Sequence, residues 1–506
     1  MEKNGARRRL RRVLITFAVV LAVLVTAVGS GFAWLWTRAD VSTVGKVRFS
    51  RPLAVPPLAE STVESDGTRV FDLRMQSGET EFRAGVQTPT WGFNGNYLGP
   101  TLRAERGERV KVRVRNALDE ASSVHWHGMH LPATMDGGPH QMVAAGGEWT
   151  PHWKIDQPAA TLWYHPHPHG TTEDQVQRGL AGMFLLDDAR SKNLKLPATY
   201  GVNDVPVIVQ DVTFDGGRFD HDHAFLANTG FLGKRTMVNG TLDPYLEVGD
   251  ELVRLRLLNA STARIYTFGF DDDRAFDLIG TDGGLLEKPA SMNRIQLSPG
   301  ERAEVVVRMR AGERSVLRSY PWREGGAWEK RFNGGDDSFD VMELRAAQRL
   351  RPSPALPAEL GRLELPDVKD TTQGRFFDLR RSGINGKPMA MNRIDDVVTR
   401  GATETWTLRN GGDMTHNFHV HDVQFRVLEV NGREPEPALR GRKDTVAVPM
   451  GTTMKIVLRF DGPADPDTPY MYHCHLLDHE DHGMMGQFVV VEPGQQAGGP
   501  KTHKGH

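Results

Sequence analysis

The chain has 506 residues, of which 39% are hydrophobic and 25% are charged, and its formal net charge is −2. This composition is that of a globular protein, and the absence of excess positive charge argues against nucleic acid as a partner. The length predicts about three domains. The single cysteine, Cys474, excludes a disulfide within the chain.

The first predicted element is a membrane-spanning helix within residues 1–40. A basic cluster precedes an apolar run of 24 uncharged residues from Val13 to Trp36. That length can cross the ~30 Å hydrocarbon core of a bilayer, and the basic flank is expected to stay in the cytoplasm, with the remainder on the extracytoplasmic face. The run is longer than a signal-peptide core, which favours an uncleaved anchor. Cleavage near VGSGFA, with export of the rest, is the alternative, and RRVLI resembles a twin-arginine export signal.

Three copies of one pattern follow the anchor. They begin at Phe93, Val238 and Ile384, which are 145 and 146 residues apart. Each copy reads apolar-Asn-Gly, a glycine turn, an alternating strand and a closing Asn. The segments VKVRVRN, LVRLRLLN and TETWTLRN have the period of two that indicates half-buried strands. Each copy therefore predicts one β-sandwich domain of Greek-key type.

The predicted fold is thus all-β, with three sandwich domains after a transmembrane helix. The predicted boundaries are 1–40 for the basic stub and anchor, 41–192, 200–350 and 365–494 for the domains, and 495–506 for a disordered tail. A proline-rich segment at residues 349–366 predicts the second linker. Three such domains can form a self-sufficient unit, so a monomer is expected.

Histidines mark the first and third copies. Ten of the 19 histidines lie in the clusters HWH, HPH, HNFHVH and HCHLLDH. Histidines stand 9 and 11 residues after the closing Asn116 and Asn410 of these copies, whereas the middle copy has Phe268 and Phe270 in those places. The middle domain is therefore predicted to be mainly a spacer without metal ligands.

The spacing of these clusters predicts two metal centres. Side chains at i and i+2 of a strand share a face, so each His-x-His pair offers two imidazoles to one place, and Cys474 must point away from its two neighbouring histidines. Soft sulfur with imidazole is the trigonal set of a blue-copper site, here His416, Cys474 and His479 with Met484 as a weak axial ligand. The other eight histidines predict the second centre. Exposed histidines that only add solubility are the alternative, and four pairs in two homologous copies argue against it.

A further His-x-His pair, His221 and His223, lies in a polar loop of the middle copy. A metal role is not expected there.

The segments HWHG, WYHPHPHG, HNFHVH and HCHLLDHEDHGMM resemble, in order, the four copper motifs of the three-domain multicopper oxidases, over about residues 60–495. This family includes laccases, bilirubin oxidases and bacterial copper-efflux oxidases, and the Gly-Met-Met ending is most similar to the last of these. The resemblance implies cupredoxin-like domains and four copper ions. It also implies that one-electron oxidations of a reducing substrate are coupled to the four-electron reduction of O₂ to water.

The resemblance also implies a role for each ligand. The type 1 copper would be bound by His416, Cys474, His479 and Met484, and the type 2 copper by His125 and His419. The type 3 pair would be bound by His127, His165, His167, His421, His473 and His475. The trinuclear centre would then lie between the first and third domains, with four histidines from each.

Two acids resemble the proton donors of this family. Oxygen reduction consumes protons, so acids are expected near the trinuclear centre. Asp136 lies in MDGGP shortly after the first motif, and Glu480 directly follows His479. The alternative for Asp136 is a turn residue before two glycines.

The electron donor is left open between a phenol or aromatic amine and Cu(I). The third copy shows no methionine-rich insertion, and an axial methionine implies a modest type 1 potential, which favours easily oxidised donors. Two other classes of function remain. An enzyme similar to copper nitrite reductase would not need the eight further histidines. A non-enzymatic envelope relative with this fold would have lost ligands, and outside the middle copy none is missing.

Overall fold

The computed structural model describes residues 2–224, 226–322, 325–364 and 366–500. The described helices are α1 (Glu2–Arg38), α2 (Thr172–Gln177), α3 (Ala189–Asn193), α4 (Ala327–Phe332) and α5 (Leu477–Asp481). Short 3₁₀ turns span Ala133–Met135, Val368–Asp370 and Pro437–Leu439. The rest of the described structure is β-sheet and loops, as the glycine- and proline-rich composition predicts.

The first sandwich encloses a core that includes Phe71, Trp126 and Phe184. One of its sheets has the order β2-β3-β6-β8, with β4 beside β3 and β9 beside β6, and the other has the order β5-β11-β10-β7. Its strands are β2 (Ser61–Val63), β3 (Arg69–Arg83), β4 (Val86–Phe93), β5 (Leu102–Glu105), β6 (Arg109–Asn116), β7 (His125–His127), β8 (Glu148–Trp149), β9 (His152–Lys154), β10 (Ala160–His165) and β11 (Gly182–Asp187).

The middle sandwich has sheets of order β16-β15-β12-β18-β23-β20-β21 and β1-β17-β25-β24-β19-β22, beside a small hairpin, β13-β14. Its strands are β1 (Arg51–Pro52), β12 (Asp204–Val212), β13 (Phe214–Asp215), β14 (Arg218–Phe219), β15 (Arg235–Val238), β16 (Thr241–Leu242), β17 (Pro244–Asp250), β18 (Leu252–Asn259), β19 (Tyr266–Phe270), β20 (Phe276–Thr281), β21 (Gly284–Met292), β22 (Ile295–Leu297), β23 (Arg302–Arg308), β24 (Arg314–Ser319) and β25 (Phe339–Arg351).

The third sandwich has sheets of order β27-β26-β29-β33-β31 and β28-β35-β34-β30-β32. Its strands are β26 (Thr371–Arg380), β27 (Gly383–Ile384), β28 (Asp396–Thr399), β29 (Thr403–Asn410), β30 (His416–Val420), β31 (Phe425–Val430), β32 (Thr445–Val448), β33 (Thr453–Arg459), β34 (Asp465–His473) and β35 (Met485–Val491). Of the tail predicted to be disordered, residues 495–500 lack regular secondary structure, and residues 501–506 lie outside the described residues.

The repeated Asn-Gly has the same role in all three domains. Asn94, Asn239 and Asn385 have positive φ angles of 57°, 50° and 54°, a conformation that asparagine tolerates better than most residues. Each side-chain oxygen accepts a hydrogen bond of 2.7–2.8 Å from a backbone N–H of a neighbouring strand. That strand pairs in parallel with the alternating strand of its domain, as β3 with β6, β12 with β18 and β26 with β29. The three predicted copies are therefore three copies of one Greek-key frame.

The prediction of a half-buried alternating strand is wrong for LVRLRLLN of the middle domain. All eight residues of β18 are buried, including Arg254 and Arg256. The polar face of β18 is not solvated, because it meets the first domain. Arg256 donates to Asp204 at 2.7 Å and to Thr161 of β10 at 2.8 Å. Charged residues on this strand are therefore paired at a domain interface rather than exposed.

The segment after the anchor belongs to the sheets of the middle domain, although the sequence boundaries place it in the first. β1 runs parallel to β17, and Ser42 forms a bridge with Ser338. The predicted span lies within Ala6–Arg38, which is long and apolar enough to cross a membrane by length and composition. The chain that leaves this helix is thus fixed on the middle domain.

Candidate metal centres

The predicted type 1 ligands meet in the core of the third domain. His416 begins β30, Cys474 directly follows β34, and His479 lies in α5. The Cys474 sulfur is 3.8 Å from Nδ1 of His416 and 3.6 Å from Nδ1 of His479, and the two nitrogens are 3.2 Å apart. A point about 2 Å from all three atoms exists, which is an ordinary metal–ligand distance. All three side chains are buried.

Cys474 and His475 lie just beyond the end of β34, and Cys474 still points away from His473 and His475, as predicted. The sulfur belongs to the buried third-domain core, which also includes Phe418 and Met484, whereas the two histidines lie among the other imidazoles. Asn417 holds this segment, since its side-chain oxygen accepts the His475 N–H at 2.5 Å and its amide donates to Pro299 of the middle domain at 3.0 Å.

Met484, the predicted axial ligand, is fully buried in the same core. Its N–H donates to the His479 carbonyl at 2.8 Å, and its own carbonyl accepts the Cys474 N–H at 3.1 Å. These two bonds fix its backbone between two of the type 1 ligands. Burial also raises the pKa of the Cys474 thiol to about 12, so a thiolate here requires a cation to replace the proton.

The eight other predicted histidines form one buried cluster between the first and third domains, and none is more than 1% exposed. Neighbouring strands bring the pairs together, because β7 pairs with β10 and β30 pairs with β34. His125 lies opposite His165, and His419 lies opposite His473. The domains then meet ring to ring: His125 stacks on His421 with centroids 3.8 Å apart, and His127 stacks on His419 at 3.7 Å.

The two predicted type 2 ligands are held in the same way. Nδ1 of His125 donates to the Asp136 carbonyl at 3.0 Å, and Nδ1 of His419 donates to the Asp444 carbonyl at 2.9 Å. A donating Nδ1 leaves the Nε2 lone pair free for a metal, which is the usual arrangement of a ligating histidine. Both Nε2 atoms are buried without a hydrogen-bond partner.

Two further groups match the predicted type 3 ligands. Nε2 of His473 lies 3.1 Å from Nε2 of His167 and 3.3 Å from Nε2 of His421. Nδ1 of His127 lies 3.4 Å from Nε2 of His165, and the His475 ring lies 5.0 and 5.2 Å from these two rings. Uncharged imidazoles do not otherwise converge on each other's lone pairs, so the arrangement fits a metal between them.

Both predicted acids contact this cluster. Asp136 accepts from Nδ1 of His421 at 2.6 Å and lies 3.4 Å from Nδ1 of His125. Glu480 lies between Nδ1 of His167, at 3.4 Å, and Nδ1 of His473, at 3.0 Å. Burial alone would raise the pKa of Glu480, but these histidines lower that pKa well below its usual value. Glu480 is therefore ionised and lies within ion-pair distance of two imidazoles.

Burial is also the main reason why seven of the imidazoles are uncharged. It lowers the pKa of His167 and His475 to about 3, although the nearby Glu480 carboxylate acts in the opposite direction, and neighbouring histidines add to the lowering. The pKa values of His127, His165, His416, His419 and His421 are likewise well below the usual value. Neutral imidazoles and a thiol aimed at common points are the donors that copper prefers, so the residues present fit this metal.

The copper-free protein is expected to lose stability as the pH falls from about 6.5 towards 3. The buried histidines whose pKa is lowered stay neutral in the folded chain, whereas in the unfolded chain they bind protons below the usual histidine pKa. Each such group therefore costs about 1.4 kcal/mol per pH unit in this window. Unfolding midpoints measured between pH 7 and 5 test this. The copper-loaded protein should change less, because the metal holds the neutral form; equal losses in both forms would contradict the account.

Arg302 and Asp444 were not predicted from the sequence. Asp444 contacts the histidine cluster directly, and Arg302 holds Asp444 in place. Asp444 contacts Nε2 of His127 at 3.1 Å and accepts from His419 through its carbonyl. Arg302 binds both Asp444 carboxylate oxygens at 2.7 Å. It also donates to Thr161 of the first domain at 2.9 Å. The middle domain is therefore more than a spacer. One signal could have pointed to these residues: charged side chains at the start of the apolar strands β23 and β32.

The described residues of the middle domain do hold apolar side chains where the other domains have ligands. Phe268 and Phe270 are buried in its core. The separate pair His221 and His223 forms ion pairs with Asp174 and Glu173 at 3.3 and 2.9 Å.

A cavity of about 1360 Å³ lies between the first and third domains. Its lining includes Asp422, which directly follows His421 and is 4% exposed. Burial raises the pKa of Asp422 to about 7. The cavity therefore reaches a buried acid that is the sequence neighbour of one histidine of the cluster.

Comparisons with known proteins agree with this geometry. Family models described as multicopper oxidase match residues 74–191, 163–320 and 362–494. The multicopper oxidase mco of Staphylococcus haemolyticus is 34% identical over 440 residues, which are 86% of this chain and 92% of the relative. The cell division protein FtsP of Salmonella typhimurium is 37% identical over 448 residues, 87% of this chain and 93% of the relative. A solved laccase-like multi-copper oxidase, CueO from Ochrobactrum sp., is 35% identical with a TM-score of 0.79, covering 87% of this chain and all of its own.

The protein has three β-sandwich domains, and the third domain contains the buried thiol–imidazole site. These features define a cupredoxin-like fold, as predicted. The chain belongs to the multicopper oxidase family, a family that binds copper.

Proposed function

We propose that the protein is an oxidase that couples one-electron oxidation of a small reducing substrate to the reduction of O₂ to water. One observation carries the proposal: all eleven predicted histidine and cysteine donors are buried in two pockets that share the segment His473–Cys474–His475. When bound, four copper ions would supply the one-electron steps at the type 1 site and oxygen reduction at the trinuclear site. The loss of ligands expected of a non-enzymatic relative has not occurred.

The chain itself provides the connection between the two pockets. Cys474 donates its sulfur to one pocket, and the residues on either side of it donate imidazoles to the other. A covalent path of one residue in each direction therefore joins the sites, and Asn417 fixes its geometry from both the middle and third domains. An electron accepted at the sulfur side needs no further protein contact to reach the histidine side.

Two carboxylates, Asp136 and Glu480, lie beside the Nδ1 protons of the cluster histidines. Asp136 accepts the Nδ1 proton of His421, and Glu480 lies 3.0 Å from Nδ1 of His473. Asp422 at the cavity wall has a pKa of about 7, raised by burial, so it can exchange a proton with solvent near neutral pH.

Glu480→Gln is expected to slow oxygen reduction by about 10–100-fold, because it removes the negative charge that lies 3.4 Å from His167 and 3.0 Å from His473, and groups that support metal ligands have effects of this size. The type 1 site does not contact this carboxylate, so the blue band should form and should bleach normally with donor. Stopped-flow reoxidation of the reduced protein by O₂ measures the slow step.

Asp481→Asn is the matched control for Glu480→Gln. Asp481 is the next residue of α5, and its two carboxylate oxygens accept from the backbone N–H groups of Thr172 and Glu173 at 2.8 and 2.9 Å. An asparagine keeps one of these two bonds, and neither bond involves a histidine of the cluster. Reoxidation of this variant should be normal. A Glu480→Gln protein that reoxidises at the wild-type rate would remove Glu480 from the mechanism.

We also propose a location in the membrane and a domain organisation for the protein. α1 is a retained anchor, the basic N-terminal end stays inside, and residues 41–500 fold as a monomer on the outer face of the membrane. The domains lie near the predicted boundaries, except that the segment of residues 41–52 joins the middle domain. Retention is supported by contacts of α1 with the middle domain, where the Phe32 ring stacks on Trp328 with centroids 6.1 Å apart. The mass of the protein purified from membranes tests this directly.

Oxygen uptake by the copper-loaded protein, with 2,6-dimethoxyphenol and with Cu(I) as separate donors, tests the activity. The relative from Ochrobactrum sp. is described as having oxidase activity towards lignin model compounds, which favours phenols. Faster turnover of the phenol would define a laccase-type enzyme, and faster turnover of Cu(I) a cuprous oxidase. A blue protein with no uptake from either donor would refute the proposed oxidase.

A further inference from the structure

The end of the anchor helix packs on α4 of the middle domain. Trp36 meets Phe332 edge to face with centroids 5.6 Å apart, and Phe32 stacks on Trp328 at 6.1 Å. Arg331 donates to the Trp36 carbonyl, and it pairs with Asp40 at 2.5 Å. Aromatic and charged contacts thus join the last turns of α1 to one short helix.

The chain that follows α1 is hydrogen-bonded to the middle domain almost from its first residue. The Val41 N–H donates to Asp337 at 2.7 Å, and the Thr43 N–H donates to the Ser338 carbonyl at 3.0 Å. The Gly45 N–H donates to Asp340 at 2.8 Å. Because these bonds begin three residues after the helix ends, the orientation of the domains relative to α1 is fixed rather than free.

The same short helix covers the type 1 ligands. Glu329 of α4 is 2% exposed and accepts the N–H of Thr415, the residue before His416. Asn333, directly after α4, exchanges hydrogen bonds of 2.6 and 3.0 Å with Asn228.

The Asn228 carbonyl in turn accepts from Nε2 of His479 at 2.9 Å. Both type 1 histidines are therefore one or two contacts from the residues on which the anchor docks.

The position of α4 relative to the bilayer follows from the position of α1. Phe32, Trp34 and Trp36 end the apolar run, where aromatic side chains mark the membrane–water interface. Residues that pack on them must lie at the same level. Trp328 and Met450, which lies beside the start of α4, are 43% and 40% exposed, and such exposed apolar side chains fit the outer surface of a bilayer.

We propose that the face formed by α4 and Met450 rests on the membrane that α1 spans, and that a hydroquinone dissolved in the bilayer donates electrons to the type 1 site through this face. This inference rests on the proposed oxidase function and names its substrate class. Each hydroquinone loses two electrons and two O–H protons and becomes a quinone. Two hydroquinones therefore reduce one O₂ to two waters, and the protons released at the membrane face equal those consumed at the trinuclear site.

Fluorophore quenching tests the orientation without using activity. The full-length, copper-loaded protein is reconstituted in phosphatidylcholine–phosphatidylglycerol vesicles, and an environment-sensitive fluorophore is attached at Trp328→Cys, at Met450→Cys or at the control Trp149→Cys. Trp149 is a partly exposed tryptophan on β8 of the first domain, and the native Cys474 is fully buried. Brominated lipid should quench the first two positions and not the third, whereas iodide should quench mainly the third. Iodide quenching without lipid quenching at positions 328 and 450 would overturn the proposal.

Oxygen uptake in the same vesicles tests the donor. Decylubiquinol, which partitions into the bilayer, is compared with unsubstituted hydroquinone, which stays in water, for Trp328→Ser and the control Trp149→Ser. Trp328→Ser should lower decylubiquinol turnover by about tenfold, as the loss of a central aromatic contact does, with the water-soluble donor and the blue band unchanged.

The donor assignment would be overturned if Trp328→Ser and Trp149→Ser changed decylubiquinol turnover equally. It would also be overturned if the protein oxidised the water-soluble donor but not decylubiquinol. A protein that oxidises neither donor would contradict the proposed oxidase and the hydroquinone step with it, while the quenching pattern still decides which face meets the bilayer.

Discussion

Cys474→Ser is expected to remove the blue absorption and to reduce steady-state donor oxidation to background. The colour of such a site comes from a copper–thiolate bond, and a serine hydroxyl does not replace a soft thiolate ligand. The eight histidines of the other cluster are untouched, so the variant should lose about one of four copper ions and keep the rest. Metal analysis and the visible spectrum of the purified protein measure both effects.

Met484→Leu is the informative control for the cysteine variant. Leucine fills a similar volume in the same core, and the trigonal set of His416, Cys474 and His479 stays intact. The blue band should therefore persist, while the reduction potential of the site should rise because the weak axial ligand is gone. A Cys474→Ser protein that stays blue, or that still oxidises donor at the wild-type rate, would show that Cys474 is not the electron entry site.

Arg302→Ala is expected to have the largest effect on stability. The guanidinium is fully buried and bonds to Thr161 of the first domain, Asp282 of the middle domain and Asp444 of the third. Removing one partner of a buried ion pair leaves a charge without compensation, which typically costs about 3–5 kcal/mol. Because Asp444 holds His127 and His419, copper affinity at the trinuclear cluster should fall as well. Denaturant unfolding of the copper-free protein and copper titration measure the two effects separately.

Arg308→Ala is the matched control on the same strand. Arg308 ends β23, and its side chain is 61% exposed and 4.0 Å from Glu251. Its removal should change the free energy of unfolding by less than about 0.5 kcal/mol and leave copper binding intact. If both arginine variants behaved alike, the buried network behind the histidines would have no special role.

The meeting of the ten histidines and Cys474 was predictable because the relevant signals are short in sequence. An i, i+2 spacing places two side chains on one side of an extended chain, and the segment that continues β34 still separates Cys474 from His473 and His475 in this way. The three-fold repeat could also be predicted, because each Asn-Gly and each closing Asn forms the same local turn in every domain. The ligand spacing and the turns agree with the structure because a few consecutive residues determine their geometry.

The groups behind the ligands could not be predicted in the same way. Asp444 meets His127 across 317 positions of sequence, and Asn228 reaches His479 from a loop of another domain. The alternation in LVRLRLLN indicated a solvated face, but a third partner, the first domain, covers that face and pairs its arginines. Contacts of this kind depend on how complete domains assemble, and no local pattern encodes them.

Reoxidation of the anaerobically reduced, copper-loaded protein by a measured amount of O₂ tests the central claim most directly. If the two pockets are joined as the structure indicates, one O₂ per protein should restore the whole blue band, and water should be the product. A blue band that stays bleached in excess O₂, or that returns only with the release of hydrogen peroxide, would show that the eight histidines do not form a working oxygen-reducing centre.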